Sequence, residues 1–88
     1  MTALFSPGQV FKTRGAADIP QTVLLAALKR HLSGDWGDVN EEDKQSNDEA
    51  VKDGDRILSA YHAPDGTKFW IITECDRSMT TLLLPDEY

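Results

Sequence analysis

The sequence predicts an α+β domain with two helices and an antiparallel sheet of three or four strands, in the order β-α-α-β-β-β. Three observations carry that expectation. Arg56 to Leu84 holds three runs of strand-forming residues separated by two short turns, which forces antiparallel pairing of neighbours. Upstream, Val23, Leu24, Leu25, Leu28 and Leu32 recur at helical spacing. Between them, Asn40 opens an acid-loaded segment that stops at Gly54.

Taken in order, Gly8 to Thr13 is a short apolar stretch after Pro7 and is expected to add an edge strand. Gly15 to Asp18 reads as a loop. Asp18-Ile19-Pro20 reads as a helix start, with Asp18 as the N-cap and proline in the first turn. Lys29, Arg30 and His31 fall in the last turn, where cations favour the negative end of the helix dipole, and Gly34 suits the position just past the end. After the loop Gly34 to Asp38, Asn40 caps a second helix whose first turn carries Glu41, Glu42 and Asp43. Its apolar content is little more than Ala50 and Val51, so most of its circumference is expected to be wet.

The strands follow. Alternation sets Ile57, Ser59 and Tyr61 on one face of the first run, with Leu58, Ala60 and His62 on the other. Pro64-Asp65-Gly66 reverses the chain. In the next run, Trp70, Ile72 and Glu74 oppose Phe69, Ile71, Thr73 and Cys75. Apolar bulk on both faces predicts a central strand. Asp76-Arg77-Ser78 breaks the pattern, Met79 to Leu84 forms the last run, and Pro85 ends it.

Length and charge set the bounds. The 88 residues are enough for one domain with a single modest core. No apolar run approaches the roughly 20 residues that span a bilayer, and the N-terminus lacks a basic segment followed by an apolar one. Neither a membrane contact nor a secretion signal is expected. The lone Cys75 excludes an internal disulfide and a multi-cysteine zinc site, and it fits a reducing cytoplasm. A formal net charge of −6 argues against direct DNA binding, whose affinity comes from Lys and Arg neutralising phosphates. The acid is concentrated: Asp35 to Asp55 holds nine acidic residues and two lysines, a local balance of −7. No P-loop, GxGxxG, HExxH or GxSxG motif is present, and no cofactor or metal is implied.

Several residues carry competing readings. His31 shares a helical face with Leu24 and Leu28. It is either a general base or ligand, or else a partner of the helix dipole or a capped, half-buried histidine, and the dipole argument favours this second group. Trp36, between Asp35 and Gly37, either folds into a core that needs its large aromatics or presents a contact surface with Asp35. Glu74, Asp76, Arg77 and Ser78 cluster at a turn near Tyr61 and His62, and most such turns are merely solvated. The acidic stretch is either a solubilising face or a surface offered to a basic partner.

The segments HLSGDWGD (31–38), RILSAY (56–61), DGTKFWIITECDRS (65–78) and TTLLLPDEY (80–88) resemble a family of small bacterial proteins described as uncharacterised or plasmid-related. The shared pattern runs H-x-x-GDWG, an Asn about ten residues on, LSAY, W-IITE-x-DRS, TT-LLP and EY. The resemblance covers roughly Leu28 to Tyr88, with Cys75 at the variable position, and the N-terminal third departs from it. It implies a setting on plasmids, prophages and integrated elements, and no mechanism. Small acidic proteins in that setting often resemble inhibitors of host defence that occupy nucleic-acid surfaces.

The leading expectation is therefore a non-enzymatic accessory protein that binds a macromolecular partner, such as a host nuclease or defence complex. Asp35, Trp36, Asp38, Glu41, Glu42 and Asp43 would form the contact. The alternative is a small metal-independent ribonuclease of the barnase or RelE-toxin sort, with His31 as base and Arg77 stabilising phosphate charge. Against it stands the acidity, since RNA cleavage normally needs a basic approach surface. A third reading is a homo-oligomer formed through an open sheet edge.

Overall fold

The computed structural model describes residues 3–88. Its elements run β1 (Gln9–Lys12), α1 (Gln21–Leu32), α2 (Glu41–Asp53), β2 (Ile57–His62), β3 (Lys68–Thr73) and β4 (Met79–Leu83), with short 3-10 turns at Ala16–Asp18 and Pro85–Glu87. The four strands form one sheet in the order β1-β4-β3-β2. The meander pairs as its turns require, with Ser59 opposite Ile71 and Ile71 opposite Leu82, and β3 lies inside.

The antiparallel expectation fails at one seam. β1 runs parallel to β4, placing Val10 beside Thr80 and Phe11 beside Thr81. Parallel neighbours need a long crossover, and here both helices and two meander strands lie between them. The start of α1 also differs from expectation. Asp18 belongs to a 3-10 turn closed by the Ile19 N–H donating to the Ala16 carbonyl at 3.0 Å. That turn buries Ala16, and α1 begins at Gln21 behind Pro20, with no side-chain cap. Proline costs nothing there, because a helix start leaves its first N–H groups unpaired in any case.

One face of the sheet carries α1. Leu24 and Ala27 pack with Tyr61, Phe69, Ile71 and Leu82, and the 3-10 turn adds Ala16 and Ile19. A smaller cluster of Trp36, Ala50 and Ile57 joins α2 to the β2 side, with Phe5, Val39 and Val51 against it. The opposite face is covered by its own side chains and by the chain's return through the second 3-10 turn. There Tyr88 meets the Trp70 ring edge-on at 5.8 Å, and Arg56 donates to the Tyr88 hydroxyl at 2.7 Å. Among the described residues no helix is long and apolar enough to cross a membrane.

Candidate functional site

The loop between the helices decides which acids face water. α1 ends in a Schellman turn, with the Asp35 N–H donating to the Arg30 carbonyl at 2.9 Å and the Gly34 N–H to that of His31 at 3.3 Å. Gly34 takes the left-handed conformation at φ 89°. The residues that usually make an apolar contact across this turn are here an ion pair. Arg30 grips both oxygens of Asp35, at 2.7 and 3.1 Å, and holds its carboxyl below the ordinary range. Gly37, at φ 73°, lies so close to β2 that a Cβ would sit 2.0 Å from the Ala60 carbonyl oxygen.

That close approach turns Trp36 inward. The ring is 3% exposed, stacks on Phe5, meets His31 edge-on, and donates its indole N–H to Asp48 at 2.9 Å. Trp36 is therefore corrected from a contact residue to a core anchor, because a buried indole gains both its apolar area and a hydrogen-bond partner. Asp35 and Asp38 remain outside, each already paired: Asp35 with Arg30, and Asp38 with the His62 ring. A shallow cleft of about 320 Å³ opens beside these pairs, lined by Val23, Arg30, Tyr61, His62 and Phe69. Arg30 and His62 are engaged by the two aspartates, so the cleft presents apolar wall more than charge.

Six acids without an ion pair among the described residues lie together on α2, while Asp18, Asp55, Asp65, Asp76, Asp86 and Glu87, also without one, are scattered over the rest of the chain. Asn40 caps the helix by accepting from the Asp43 N–H at 2.8 Å, and Gly54 closes it at φ 75°. Glu41, Glu42 and Asp43 are exposed in the first turn, where the helix dipole favours negative charge. Glu42, Glu49 and Asp53 follow one another at spacings that keep them on one line of the outer face. Asn47, Ala50 and Val51 make up the narrow inner stripe. Asn47 binds the free edge of β2 as a strand would, donating to the Leu58 carbonyl at 2.7 Å and accepting its N–H at 3.3 Å.

His31 and Arg77 are placed quite differently from an active-site pair. His31 has no exposed surface. Its Nδ1 lies 2.5 Å from the Ser59 hydroxyl and its Nε2 lies 2.8 Å from that of Thr73. The Thr73 hydroxyl lies 2.8 Å from the Thr80 hydroxyl, which donates to the Pro7 carbonyl at 2.7 Å. Counting protons back from that carbonyl fixes every direction. Thr80 spends its hydrogen on Pro7, Thr73 donates to Thr80, Nε2–H donates to Thr73, and Ser59 donates to an unprotonated Nδ1. Burial, aided by the Arg77 charge, pushes the imidazole down to about 4. A neutral, enclosed ring is neither a dipole partner nor within reach of a substrate proton, so those readings of His31 are corrected; the capped histidine remains, buried fully instead of by half.

Arg77, at φ 60°, gives its guanidinium to three backbone carbonyls: Asp55 at 2.6 Å, Ala50 at 2.8 Å and Glu74 at 3.1 Å. It also lies over the Phe5 ring at 5.3 Å. Its work is to fasten the C-terminal end of α2 to the β3–β4 turn, a place where the dipole favours a cation.

Sequence reading missed Asn47, Asp48 and the hydroxyl chain. A signal for the last was present, since Ser59, Thr73 and Thr80 all take inward positions by alternation, as His31 does by helical spacing. Among the described residues no cluster of His, Cys, Asp and Glu is arranged to hold a metal ion. Comparison with known proteins adds no relative, for no family model, curated protein or solved structure matches the chain.

Proposed function

We propose that the protein is a non-enzymatic accessory module that binds a partner protein through the outer face of α2. Glu41, Glu42, Asp43, Glu49 and Asp53 form the contact, with Asp35 and Asp38 at its margin. The observation that carries this reading is the state of those acids: the five α2 residues are exposed and without ion pairs among the described residues. The helix that carries them is fixed by Asn47, by the Trp36–Asp48 bond and by Arg77. A rigid acidic face matches a surface built for phosphate, so the partner is a nucleic-acid-binding protein whose groove the module occupies. The resemblance to proteins of mobile elements supports a host nuclease or defence complex in the cytoplasm as that partner. No observation favours a ribonuclease.

The test is capture of partners from nuclease-treated bacterial lysate by the tagged protein, followed by binding kinetics with the captured protein at several salt concentrations. Replacing Glu41 and Glu42 by Gln and Asp43 by Asn is expected to weaken binding on the order of tenfold, mostly in the on-rate, and to flatten its salt dependence. Equal binding by the triple variant would refute the reading.

A further inference from the structure

The two edges of the sheet are treated unequally. At β2 the outward backbone groups of Leu58 and Ala60 are taken: Asn47 holds Leu58, the Ala60 N–H donates to the Trp36 carbonyl at 3.1 Å, and the Asp38 N–H donates to the Ala60 carbonyl at 2.8 Å. At β1 the odd positions face β4, since the Gln9 N–H donates to Ser78 and the Thr13 N–H to Leu82, each at 3.0 Å. Val10 and Lys12 therefore turn their N–H and C=O groups outward. All four β1 residues are exposed, and Val10 (46%), Phe11 (45%) and Leu25 (48%) lie bare around the strand. An apolar groove between β1 and α1, lined by Val10, Leu25 and Leu28, borders the same edge.

We propose that β1 is a self-association edge, where β1 of a second copy of this chain adds antiparallel about a two-fold axis through Phe11. The register is self-complementary. Phe11 faces Phe11 of the second copy as a non-hydrogen-bonded pair, while Val10 and Lys12 exchange hydrogen bonds with Lys12 and Val10 across the axis. Each Lys12 is thus set opposite a valine, which avoids the cost of like charges directly opposed.

Charge distribution selects this edge for self-pairing over the other. The segment with a balance of −7 lies on the β2 side, three strands or about 14 Å from β1, beyond the screening length of about 8 Å at physiological salt. Beside β1 the charged residues are Lys12, Arg14 and the single carboxylate of Glu87, which Thr13 and Gly15 hold, so no acidic excess gathers at this edge. Pairing through β1 therefore holds the two acidic faces at opposite ends of an eight-stranded sheet, whereas pairing through β2 would press them together.

The experiment is a mass measurement in solution from about 1 µM to about 1 mM, a range in which a millimolar dissociation constant is still seen. The expected result is a rise from 9.8 kDa toward twice that mass. Val10→Pro removes an outward N–H that the β4 pairing does not use, and is expected to weaken association at least tenfold with an unchanged circular dichroism spectrum. Phe11→Cys in a Cys75→Ser background is expected to form a disulfide-linked dimer on mild oxidation, because cysteines on the axis come within bonding range. Gln9→Cys in the same background is expected not to. A single-chain mass at the highest concentration, a dimer untouched by Val10→Pro, or equal cross-linking from Phe11→Cys and Gln9→Cys would each overturn the proposal. If Val10→Pro unfolds, the cysteine pair decides. The triple-neutralised α2 variant should associate as the native chain does, which separates this surface from the partner contact.

Discussion

His31 shows how a titratable side chain becomes core material. Each ring nitrogen has a hydroxyl partner, and among the described residues no buried side-chain polar atom lacks one. Such a chain is stable while the ring is neutral, because a charged imidazole there would lose its hydration and feel the Arg77 charge. The sign of the pH dependence follows. The folded state binds its proton near 4 and the unfolded chain near 6.5, so the unfolded state gains protons first as pH falls. The stabilisation is complete above 6.5 and is lost progressively toward 4, by about 3 kcal/mol. Denaturant midpoints at pH 7 and pH 4.5 check this: a His31→Gln variant is expected to lose the difference between them, whatever its stability at pH 7. The sequence showed His31 on an apolar stripe and three hydroxyls at inward strand positions. It could not show that they join, because the Thr80 bond to Pro7 spans nearly the whole chain.

At the scale of elements, α2 was the most legible and the least self-sufficient. Asn40, the acidic first turn and Gly54 marked its ends, and those bounds hold. Its attachment was hidden, since Asn47 looks like one more polar residue on a polar helix. Spacing puts Asn47 on the stripe of Ala50 and Val51, but an amide has no reason to face inward until the free edge of β2 supplies two backbone groups needing partners. Removing it leaves both Leu58 groups without their partners. Asn47→Ala is expected to destabilise the fold by about 1–3 kcal/mol. Asn47→Asp is expected to cost as much, because a carboxylate cannot donate to the Leu58 carbonyl. Urea unfolding monitored by circular dichroism measures both, and a native midpoint in either variant would show that α2 is held without the Asn47 bonds. Trp36 belongs to the same lesson. Its burial was one of two open readings, and what favours it is the Asp48 carboxylate waiting for the indole N–H beside the close approach of Gly37 to Ala60, neither of which local sequence reveals.

For the molecule as a whole, the meander and the α+β class could be read directly, because short turns and alternation are local. The parallel seam could not. Gln9 to Lys12 suits either free edge of the meander, and β4 is left available only because Asn47 and Gly37 occupy β2. Two surfaces at opposite edges result, an acidic one beside β2 and an apolar one beside β1. The seam also orders events in time. Closing β1 onto β4 constrains most of the chain at once, whereas β2, β3 and β4 pair through tight turns, so the meander forms early and β1 docks late. In native-state hydrogen exchange the amides of Gln9 and Thr13 are expected to open well before those of Ile71 and Leu83, which pair inside the meander, and equal protection would contradict this order. Synthesis sharpens the point. β1 leaves the ribosome before any other strand, yet it has no place to go until β4 has been made, so the first strand built is the last to be seated.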